Sequence, residues 1–590
     1  MPPPNTSNAP GVCIQEAPAG LRIIPTAGTS TAAFIGFTPT GPLEPTLVKN
    51  WREYKSLYQA IPAEFTHKNR PGRVIGRINY NNVFLVGVDA NETFLYLCDR
   101  VNGTLEKKNP AEYFTHWHTD LQPNDCATLW TKGEVRRRYF MKGRQSIRFT
   151  LAGNTPVISE IGTEWPNLPE GFNGGWDSVA SDADSKITYI FKEDSYVEFD
   201  NLRGVCDWGA SKKIAEGFPE LPSIFHRNLD GVVLLDDVLY FFKGESTAAV
   251  STESGLLSDP VLSHFRNGGG PCYVLRIPKH RADEAKTPLK KEEMLECFKG
   301  TSPLFEGAGL AGLERVEEVT MVAAPSLWSV PGVTEAEARG VQEQIVSHCA
   351  GAGNRVAVLD PPPRLLPDEM KEYAEGLNLP DGEKSFGTLY YPWLKTADGG
   401  RRLVPPSGCA TGVWCRTDLG RGVHKAPANE AVSGISGVAW ALTDDEQAPL
   451  NAMGVNCIRC FPGQGIRVWG ARTLAAPVST EWKYLNVRRL CNFIQESVRQ
   501  GTRWAVFEPN NERLWAAIRG NTTVFLRDQW RQGALAGRTP DEAFYVICDA
   551  TNNTEETIPQ GRVYCDIGIA PVRPAEFITL RISQILKTPT

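Results

Sequence analysis

The sequence predicts a multidomain protein of mixed α+β and α/β class, with an extended arm at each terminus and an inserted all-β domain. At 590 residues the chain is longer than a single hydrophobic core usually supports. From Leu262 onward, buried strand patterns alternate with helix patterns, which is typical of an α/β layer. Between residues 62 and 256, aromatic strand patterns recur about every 50 residues, which indicates a repeat architecture.

These changes in pattern divide the chain into five segments. They are an N-terminal extended arm (1–25), a discontinuous α/β body (26–61 with 257–474), the all-β insertion (62–256), a C-terminal domain (475–566) and a C-terminal arm (567–590). An inserted domain is tolerated at an exposed loop when its own termini lie close together, and a closed ring of repeats meets that condition.

Individual elements are visible within the body and the C-terminal domain. Apolar runs predict strands at 33–37, 272–276, 319–325 and 355–360, and helical spacing predicts helices at 51–58, 341–350 and 482–500. Asn510 and Asn511 follow a turn and precede a helical pattern, so an asparagine cap is expected there.

The insertion contains a repeat with two strong signals. Tyr139, Tyr189 and Tyr240 each begin a Tyr-x-x-Lys core, and they are 50 and 51 residues apart. The motif WPNLP at 165–169 returns as FPELP at 218–222, 53 residues later. Short aromatic strands at this period predict propeller blades. The segment resembles a four-bladed haemopexin-like domain.

Three aspartates share the phase of this repeat: Asp125, Asp177 and Asp230, at intervals of 52 and 53 residues. A weaker first unit, centred on residues 83–87, lacks the aspartate. The haemopexin-like resemblance implies that the three side chains line a central channel, where carboxylates could hold a hard cation. The alternative is that each aspartate caps the turn at which a strand begins.

Composition and charge argue against several classes of function. A net charge of -6 does not suit a general nucleic-acid binder, which would carry a basic excess. No apolar run approaches the roughly 18 residues that cross a bilayer, and the N-terminus lacks the basic start and apolar core of a secretory signal. We therefore expect no direct membrane insertion. The 14 cysteines are scattered, mostly in apolar runs, which fits reduced thiols in a protein made in the cytoplasm.

Two motifs have both a chemical and a structural interpretation. The glycines after Asn267 precede a strand and lack the Gly-Lys-Ser/Thr of a phosphate loop, so a structural turn is favoured. Cys457 and Cys460 have no second pair at zinc-ligand spacing and lie in a strand pattern. Buried structural thiols are therefore favoured over a redox or zinc site.

A third motif could bind a metal. His116, His118 and Asp120 would share one face of a strand, as in a site with two histidines and one carboxylate. They fall at the end of the first repeat, where exposed loops occur, so we predict neither a metal site nor a cofactor. The histidine and lysine of GVHKAPANE at 422–430 are acid–base residue types, but no nucleophile or phosphate loop accompanies them.

Residues 11–61 and 257–590 resemble the contractile tail sheath proteins of phages and of phage-tail-like injection systems. The clearest segments are GVHKAPANE at 422–430 and FPGQGIRVWGARTL at 461–474. Further matching segments, in the same order, lie at 25–37, 267–269, 322–325, 359–362, 390–393, 481–489 and 568–577. The insertion departs from the family, which often has only a short link or an unrelated outer domain at that place.

The resemblance implies a structural protein without catalytic activity. Sheath proteins of this kind form stacked hexameric rings, a helical homo-oligomer around an inner tube protein, and contract to drive the tube through a target envelope. Baseplate and cap proteins are implied as further partners. The particle would be made in the cytoplasm and would leave by a route other than secretion, for example lysis. In such sheaths both terminal arms join the sheet of neighbouring subunits.

Both ends of this chain have the alternation of apolar and polar residues that strand pairing requires. An unpaired strand would expose apolar side chains and unmet backbone groups, and pairing with a neighbour's sheet removes both problems. We therefore predict arm contacts between subunits through Val12, Ile14, Phe577, Ile578, Leu580 and Ile582.

Two other classes of function predict features of their own. A binding protein whose main role is ligand or surface recognition by the propeller predicts a signal peptide and disulfides. An α/β enzyme predicts a glycine loop or a catalytic constellation at strand ends. The sequence shows neither set, so the sheath subunit is the favoured function and the binding protein is the alternative.

Overall fold

The computed structural model describes residues 23–577 apart from short internal stretches, which are 39–40, 59–72, 78–82, 90–91, 100–103, 109–125, 133–134, 151–152, 182–186, 202–204, 207–210, 219–220, 236–237, 244–245, 252–256, 280–288 and 397–402. Several predicted residues lie outside the described ones: Val12, Ile14, His116, His118, Asp120, Asp125, Ile578, Leu580 and Ile582. The described residues form two compact units. The smaller contains 23–29, 420–426 and 486–577, and the larger contains 30–419 and 427–485.

The larger unit begins with β1 (Ala32–Phe37), β2 (Thr46–Val48) and α1 (Trp51–Tyr58). Every side chain of β1 is buried, as expected of a strand that is covered on both faces. The Asn50 side chain accepts a hydrogen bond from the Glu53 N–H at 3.0 Å and so caps α1, whose buried face carries Tyr54 and Tyr58. The predictions for β1 and α1 are confirmed.

The described residues of the insertion form four antiparallel meanders, and a four-residue helix precedes each of the last two. The elements are β3 (Arg73–Arg77), β4 (Val83–Asp89), β5 (Glu92–Asp99), β6 (Thr104–Lys108), β7 (Cys126–Lys132), β8 (Val135–Lys142), β9 (Gln145–Thr150), β10 (Gly153–Glu160), α2 (Ile161–Glu164), β11 (Ser178–Ala180), β12 (Ile187–Lys192), β13 (Ser195–Asp200), β14 (Val205–Cys206), β15 (Lys212–Lys213), α3 (Ile214–Gly217), β16 (Gly231–Leu235), β17 (Val238–Lys243) and β18 (Ser246–Ser251). The first strands of the meanders are neighbours: β3 lies against β7 and β16, and β11 also lies against β7 and β16. A parallel bridge between β3 and β7 joins the first two meanders into one eight-stranded sheet.

The repeat seen in the sequence has a structural counterpart. The three phased tyrosines lie in the equivalent second strands β8, β12 and β17. Trp165 and Phe218 each follow a four-residue helix and are buried. The Trp165 ring lies 5.4 Å from that of Tyr139 and 4.9 Å from that of Phe199, in successive meanders, and Phe218 lies 5.2 Å from Phe241. The two proline-containing motifs therefore place aromatic side chains between neighbouring repeats.

The chain then returns to the body, where strands and helices alternate. The elements are α4 (Ser258–Arg266), β19 (Cys272–Ile277), α5 (Lys291–Lys299), β20 (Met321–Ala323), α6 (Glu335–Ala352), β21 (Val356–Leu359), α7 (Pro367–Glu375), β22 (Gly387–Tyr391), β23 (Leu394–Thr396), β24 (Leu403–Val404), α8 (Ser407–Arg421), β25 (Glu430–Ala431), β26 (Ile435–Val438), α9 (Asp444–Ala452), β27 (Val455–Phe461) and β28 (Gly465–Val468).

Nine of the body strands form one sheet in the order β2-β19-β1-β20-β21-β22-β27-β28-β25. The six central strands from β19 to β27 are parallel, and β2, β28 and β25 are antiparallel to their neighbours. A parallel sheet needs apolar cover, and Leu295 of α5, Val341 and Ile345 of α6 and Tyr373 of α7 belong to the core cluster that also contains the strand residues. The predicted α/β layer is confirmed.

The smaller unit is mixed α and β. Its elements are α10 (Leu485–Gly501), α11 (Glu512–Arg531), α12 (Pro540–Ala543), β29 (Phe544–Ile547) and β30 (Asp566–Ile569). Asn511 caps α11, since its side chain accepts from the N–H groups of Arg513 and Leu514 at 3.0 and 3.2 Å. The predicted asparagine cap is confirmed. No helix in the described part of the chain has the length and apolarity to span a bilayer.

Two boundaries differ from the sequence prediction. The arm was expected from residue 567, but β30 continues to Ile569, so the arm starts after a paired strand. The sequence does not reveal this pairing because the partner strand β29 lies about 20 residues earlier in the chain. Residues 420–426 belong to the smaller unit although residues 475–485 belong to the larger one. The physical reason is that Val423 packs in the apolar core of the smaller unit.

Candidate assembly surfaces

The first candidate surface is the root of the N-terminal arm, which runs along α10. The Arg489 guanidinium donates to the Thr29 carbonyl at 3.0 Å, and the Ala27 N–H donates to Ser497 Oγ at 3.0 Å. Ile24 is buried against the last residue of α10, whereas Ile23 is 91% exposed. The root is therefore antiparallel to α10, and its first described residues lie at the C-terminal end of that helix.

The sequence of α10 explains why it can hold this root. Leu490, Phe493 and Ile494 are buried on one face at helical spacing. Ser497 and Gly501 continue the same stripe with small side chains, so the arm backbone can come close. A Cβ atom on Gly501 would lie 2.6 Å from a side-chain carbon of the arm.

The second candidate surface is the root of the C-terminal arm, directly after β30. The Ala536 N–H donates to the Ala570 carbonyl at 2.7 Å, and the Asn486 side chain donates to the Val572 carbonyl at 3.1 Å. Phe577, five residues further on, is 79% exposed. Its predicted contact with another subunit stays a prediction, as do those of Val12, Ile14, Ile578, Leu580 and Ile582.

Asn486 also binds the GVHKAPANE segment. Its side-chain amide donates to the His424 carbonyl at 2.8 Å. The segment is a turn in which the Lys425 N–H donates to the Gly422 carbonyl at 3.1 Å, and Gly422 has the positive φ of 86° that favours glycine. The turn packs in the smaller unit through Val423. Parts of three sequence segments that carry the resemblance, 422–430, 481–489 and 568–577, thus meet at Asn486.

The third candidate surface is the two-stranded sheet of β29 and β30. Phe544 of β29 belongs to the core and the partly buried Val546 packs against it, whereas Tyr545 and Ile547 are 58% and 39% exposed on the other face. Within the described residues, no third strand pairs with β29 or β30. A two-stranded sheet is marginally stable alone, and its open edge is a template for an added strand. β29 is not visible as a strand in the sequence because its four residues are all apolar and show no alternation.

Two of the three aspartates predicted to line a channel are described, and both lie at strand entries. Asp177 and Asp230 immediately precede β11 and β16, and the N–H of each donates to a phenylalanine carbonyl in the adjacent second strand, at 2.9 and 3.0 Å. The Asp177 carboxylate accepts from the Glu193 N–H at 2.5 Å, in the turn between β12 and β13. This contact fits the capping alternative. The channel position of Asp177, Asp230 and the undescribed Asp125 stays a prediction.

The glycine-rich motif after Asn267 is a turn between α4 and β19, as the sequence analysis favoured. Gly268 has a φ of 93°. The buried Asn267 side chain donates to the Ser263 carbonyl at 2.8 Å and accepts from the Ser433 N–H at 2.8 Å. These side-chain contacts hold the turn inside the larger unit.

The cysteine pair of β27 is not a pair in space. Cys457 is buried and Cys460 is exposed, since residues three apart in a strand point to opposite faces. The expectation of two buried thiols was therefore wrong for Cys460. Among the described residues, no group of three His, Cys, Asp or Glu side chains could hold a metal ion.

The carboxyl edge of the parallel sheet is where an α/β enzyme would carry its catalytic groups. Asp360 follows β21 there and is buried. Its two carboxylate oxygens accept hydrogen bonds from the Ser407 N–H at 2.8 Å and the Ser407 hydroxyl at 2.6 Å. Both oxygens thus bind the first residue of α8. The positive end of the helix dipole at this position also favours a negative charge on the carboxylate. The geometry gives Asp360 a structural role.

A groove of about 350 Å³ lies near the same edge. Its lining is aromatic, aliphatic and basic, and the residues are Arg364, Leu365, Leu366, Tyr391, Pro392, Trp393, Lys395, Leu403, Ala439 and Trp440. The lining offers no carboxylate, imidazole, thiol or aliphatic hydroxyl group.

Asp360 makes stability depend on pH. Burial raises its pKa to about 7, although the two hydrogen bonds from Ser407 lower it. A carboxyl group whose pKa is higher in the folded than in the unfolded state stabilises the folded protein fully below about pH 4. That stabilisation is lost as the pH rises through about 7. In Asp360→Asn this dependence disappears. Relative to the variant, the free energy of unfolding of the unmodified protein should fall by about 1.4 kcal/mol per pH unit in this window.

Urea denaturation followed by tryptophan fluorescence at several pH values measures this difference. The matched control is Asp368→Asn, an exposed carboxylate in the neighbouring α7. A constant difference between Asp360→Asn and the unmodified protein from acid to neutral pH would contradict the prediction.

Comparison with solved structures gives likenesses of limited extent. A chain in the cryo-EM structure of the anti-feeding prophage (AFP) baseplate is 29% identical, with a TM-score of 0.46, and the match covers 57% of this chain and 83% of that chain. A haemopexin-fold protein from cow pea is 18% identical, with a TM-score of 0.24, and covers 30% of this chain and 86% of its own. Both likenesses are too weak to carry an argument, so the haemopexin-like interpretation of the insertion is not supported by them.

Comparison with protein families and curated relatives is more informative. A putative prophage major tail sheath protein of Pseudomonas aeruginosa (strain UCBPP-PA14) is 27% identical over 191 residues, 32% of this chain and 47% of the relative. The tail sheath protein of Burkholderia phage BcepMu is 31% identical over 216 residues, 34% of this chain and 44% of the relative. The chain thus spans less than half the length of these two relatives. Residues 309–474 match the phage tail sheath protein central domain and residues 478–585 match the phage tail sheath C-terminal domain. Over residues 309–474 and 478–585 the chain is therefore similar to the central and C-terminal domains of phage tail sheath proteins.

Proposed function

We propose that this chain is the structural subunit of a contractile sheath. It polymerises as stacked hexameric rings around an inner tube protein, with baseplate and cap proteins at the ends. The observation that carries the proposal is that one compact unit holds the roots of both arms and a two-stranded sheet without a third described strand. The chain acts in a phage tail or phage-tail-like particle that is made in the cytoplasm and released by lysis.

In the proposed lattice, the arms of one subunit add strands to the β29–β30 sheet of another. A strand added at an open edge gains backbone hydrogen bonds and buries alternate side chains. For the C-terminal arm these are Ile578, Leu580 and Ile582, and each buried aliphatic side chain contributes about 1.5–3 kcal/mol. The arm and its acceptor are different surfaces, so the contact is head-to-tail and propagates into rings or helical assemblies.

We further propose that residues 475–566 supply the inner surface, which contacts the tube. The turn between α10 and α11 supports this, because it carries Val506 at 64% exposure and a fully exposed Phe507. Phe507 also has a φ of 70°, a backbone conformation that costs a non-glycine residue about 1–2 kcal/mol. An exposed aromatic side chain on strained backbone is a candidate contact residue.

The insertion is proposed to be a four-bladed propeller that projects outward from the sheath. Four meanders, the adjacency of their first strands and the aromatic side chains between repeats support this architecture. The outward position follows because the tube fills the inner radius and the arms occupy the lattice.

Replacing residues 62–256 with a short Gly/Ser linker tests the proposal. We expect the shortened protein to form sheaths with its tube and baseplate partners, thinner in cross-section by negative-stain microscopy. A matched variant is Trp165→Ala, which should destabilise the insertion by about 3–5 kcal/mol because it empties a buried aromatic site, while sheaths still form. A shortened protein that is soluble but never assembles would contradict the outward position, and an insoluble one would contradict the insertion itself.

A further inference from the structure

Two cysteines face each other at the end of the β29–β30 sheet. In the antiparallel register Ile547 and Asp566 are the last pair, and Cys548 and Cys565 are the residues that directly follow and precede these strand ends. Side chains that are directly opposite in an antiparallel pair have Cβ atoms about 4.5–5.5 Å apart. A disulfide needs about 3.5–4.5 Å, so a small approach of the strands suffices.

The two thiols already interact. Both cysteines are free in the structure, and each thiol shifts the pKa of the other. Cys548 is buried among Leu514, Trp515 and Ile518 of α11, with Cys565 at the edge of the same cluster. Packing against the helix therefore limits the ways in which the pair can separate.

The loop between the cysteines, residues 549–564, is closed by a second contact. The Asn553 side chain donates to the Tyr564 carbonyl at 2.9 Å and accepts from the Tyr564 N–H at 2.7 Å. This double hydrogen bond fixes the residue next to Cys565. The approach of the two sulfur atoms is therefore set by the loop as well as by the strands.

The pair is also asymmetric in reactivity. The hydrogen bond from Cys565 lowers the pKa of the Cys548 thiol, and the positive charge of Arg519 acts in the same direction. The same hydrogen bond and burial raise the pKa of the Cys565 thiol. Since the thiolate is the nucleophile, Cys548 is the group that attacks first.

We propose that Cys548 and Cys565 are a redox pair that forms an intramolecular disulfide in oxidising surroundings and so locks the 549–564 loop. The Cys548 thiolate attacks one sulfur of a small-molecule disulfide, which gives a mixed disulfide and releases one small thiolate. Cys565 then loses its proton to water, and its thiolate attacks the Cys548 sulfur and releases the second small thiolate. Two protein thiols are oxidised by two electrons, and the small disulfide is reduced to two thiols. This chemistry does not depend on the proposed assembly.

Peptide mapping of the full chain tests the proposal. The purified protein is incubated with oxidised glutathione, remaining thiols are alkylated, and trypsin is added without reductant. Cleavage after Arg562 places Cys548 in peptide 539–562 and Cys565 in peptide 563–581, each with a single cysteine. We expect these two peptides to be joined and to separate on reduction. The exposed Cys460 is the internal control, because it should carry glutathione.

A second readout separates a specific disulfide from general oxidation. Oxidation should raise the midpoint of thermal unfolding of the unmodified protein, and the rise should be lost in Cys548→Ser and Cys565→Ser. Recovery of peptides 539–562 and 563–581 apart and fully alkylated, under conditions that modify Cys460, would overturn the proposal. The peptide map of the unmodified protein tests the proposal even if a serine variant fails to fold.

Discussion

We expect that removing residues 577–590, or residues 1–20, leaves a folded protein that no longer forms tubes. The roots of both arms stay in place, because Ile24 and Ala27 pack on α10 and Val572 is held by Asn486. What is lost is the strand that each arm adds to another subunit. The burial of several aliphatic side chains, at about 1.5–3 kcal/mol each, is then missing from every proposed contact between subunits.

Circular dichroism checks the fold of each deletion, and negative-stain microscopy checks its assembly. Deletion of residues 1–10 alone is the matched control, since this Pro- and Asn-rich stretch lies before Val12 and Ile14. Tubes of normal length from both longer deletions would exclude the arms as the connection between subunits.

Charge substitutions give a finer test of the C-terminal arm. In a strand, Ile578, Leu580 and Ile582 share one face, and Thr579 lies on the other. Leu580→Asp should abolish tubes because it buries an unpaired carboxylate, whereas Thr579→Asp should not. Equal effects of the two variants would show that the arm does not pair as a half-buried strand.

The second large effect concerns the state of the polymer. We expect the protein expressed without tube and baseplate to stay unassembled or to form only a wide, contracted polymer. The physical reason is that the extended state needs contacts with the tube, for which Phe507 is the candidate, and with the baseplate. Without them, the same subunits and arms adopt the packing of lower free energy.

Polymer diameter, measured by electron microscopy with and without the co-expressed partners, checks this expectation. Phe507→Ser in the co-expressed system should shift particles toward the wide form, and Val524→Ser is a control at a second exposed apolar site of the same unit. A narrow, extended polymer from the protein alone would contradict it.

The sequence predicted the body well because its strands are continuous apolar runs. The runs at 319–325 and 355–360 became β20 and β21 of one parallel sheet, and burial on both faces explains the absence of polar alternation. The cap of α11 was predictable from Asn510 and Asn511, because a polar residue before a helical pattern has a local cause.

The smaller unit was less predictable because its contacts are long-range. β29 pairs with β30 across a loop, and residues 420–426 pack with a helix more than 60 positions away, at Asn486. Neither contact leaves a periodic signal. The exposed Tyr545 and Ile547 hide the alternation that would have marked β29 as a half-buried strand.

Contraction of assembled particles without nucleotide is the most direct test that this chain works as a mechanical subunit. Purified particles are treated with mild denaturant or acid in nucleotide-free buffer, and sheath length and width are measured by electron microscopy. If the energy for contraction is stored in the lattice of subunits, whole sheaths should shorten and widen cooperatively under these conditions. Contraction that occurs only after nucleotide is added would contradict it and would place the energy source in an enzyme.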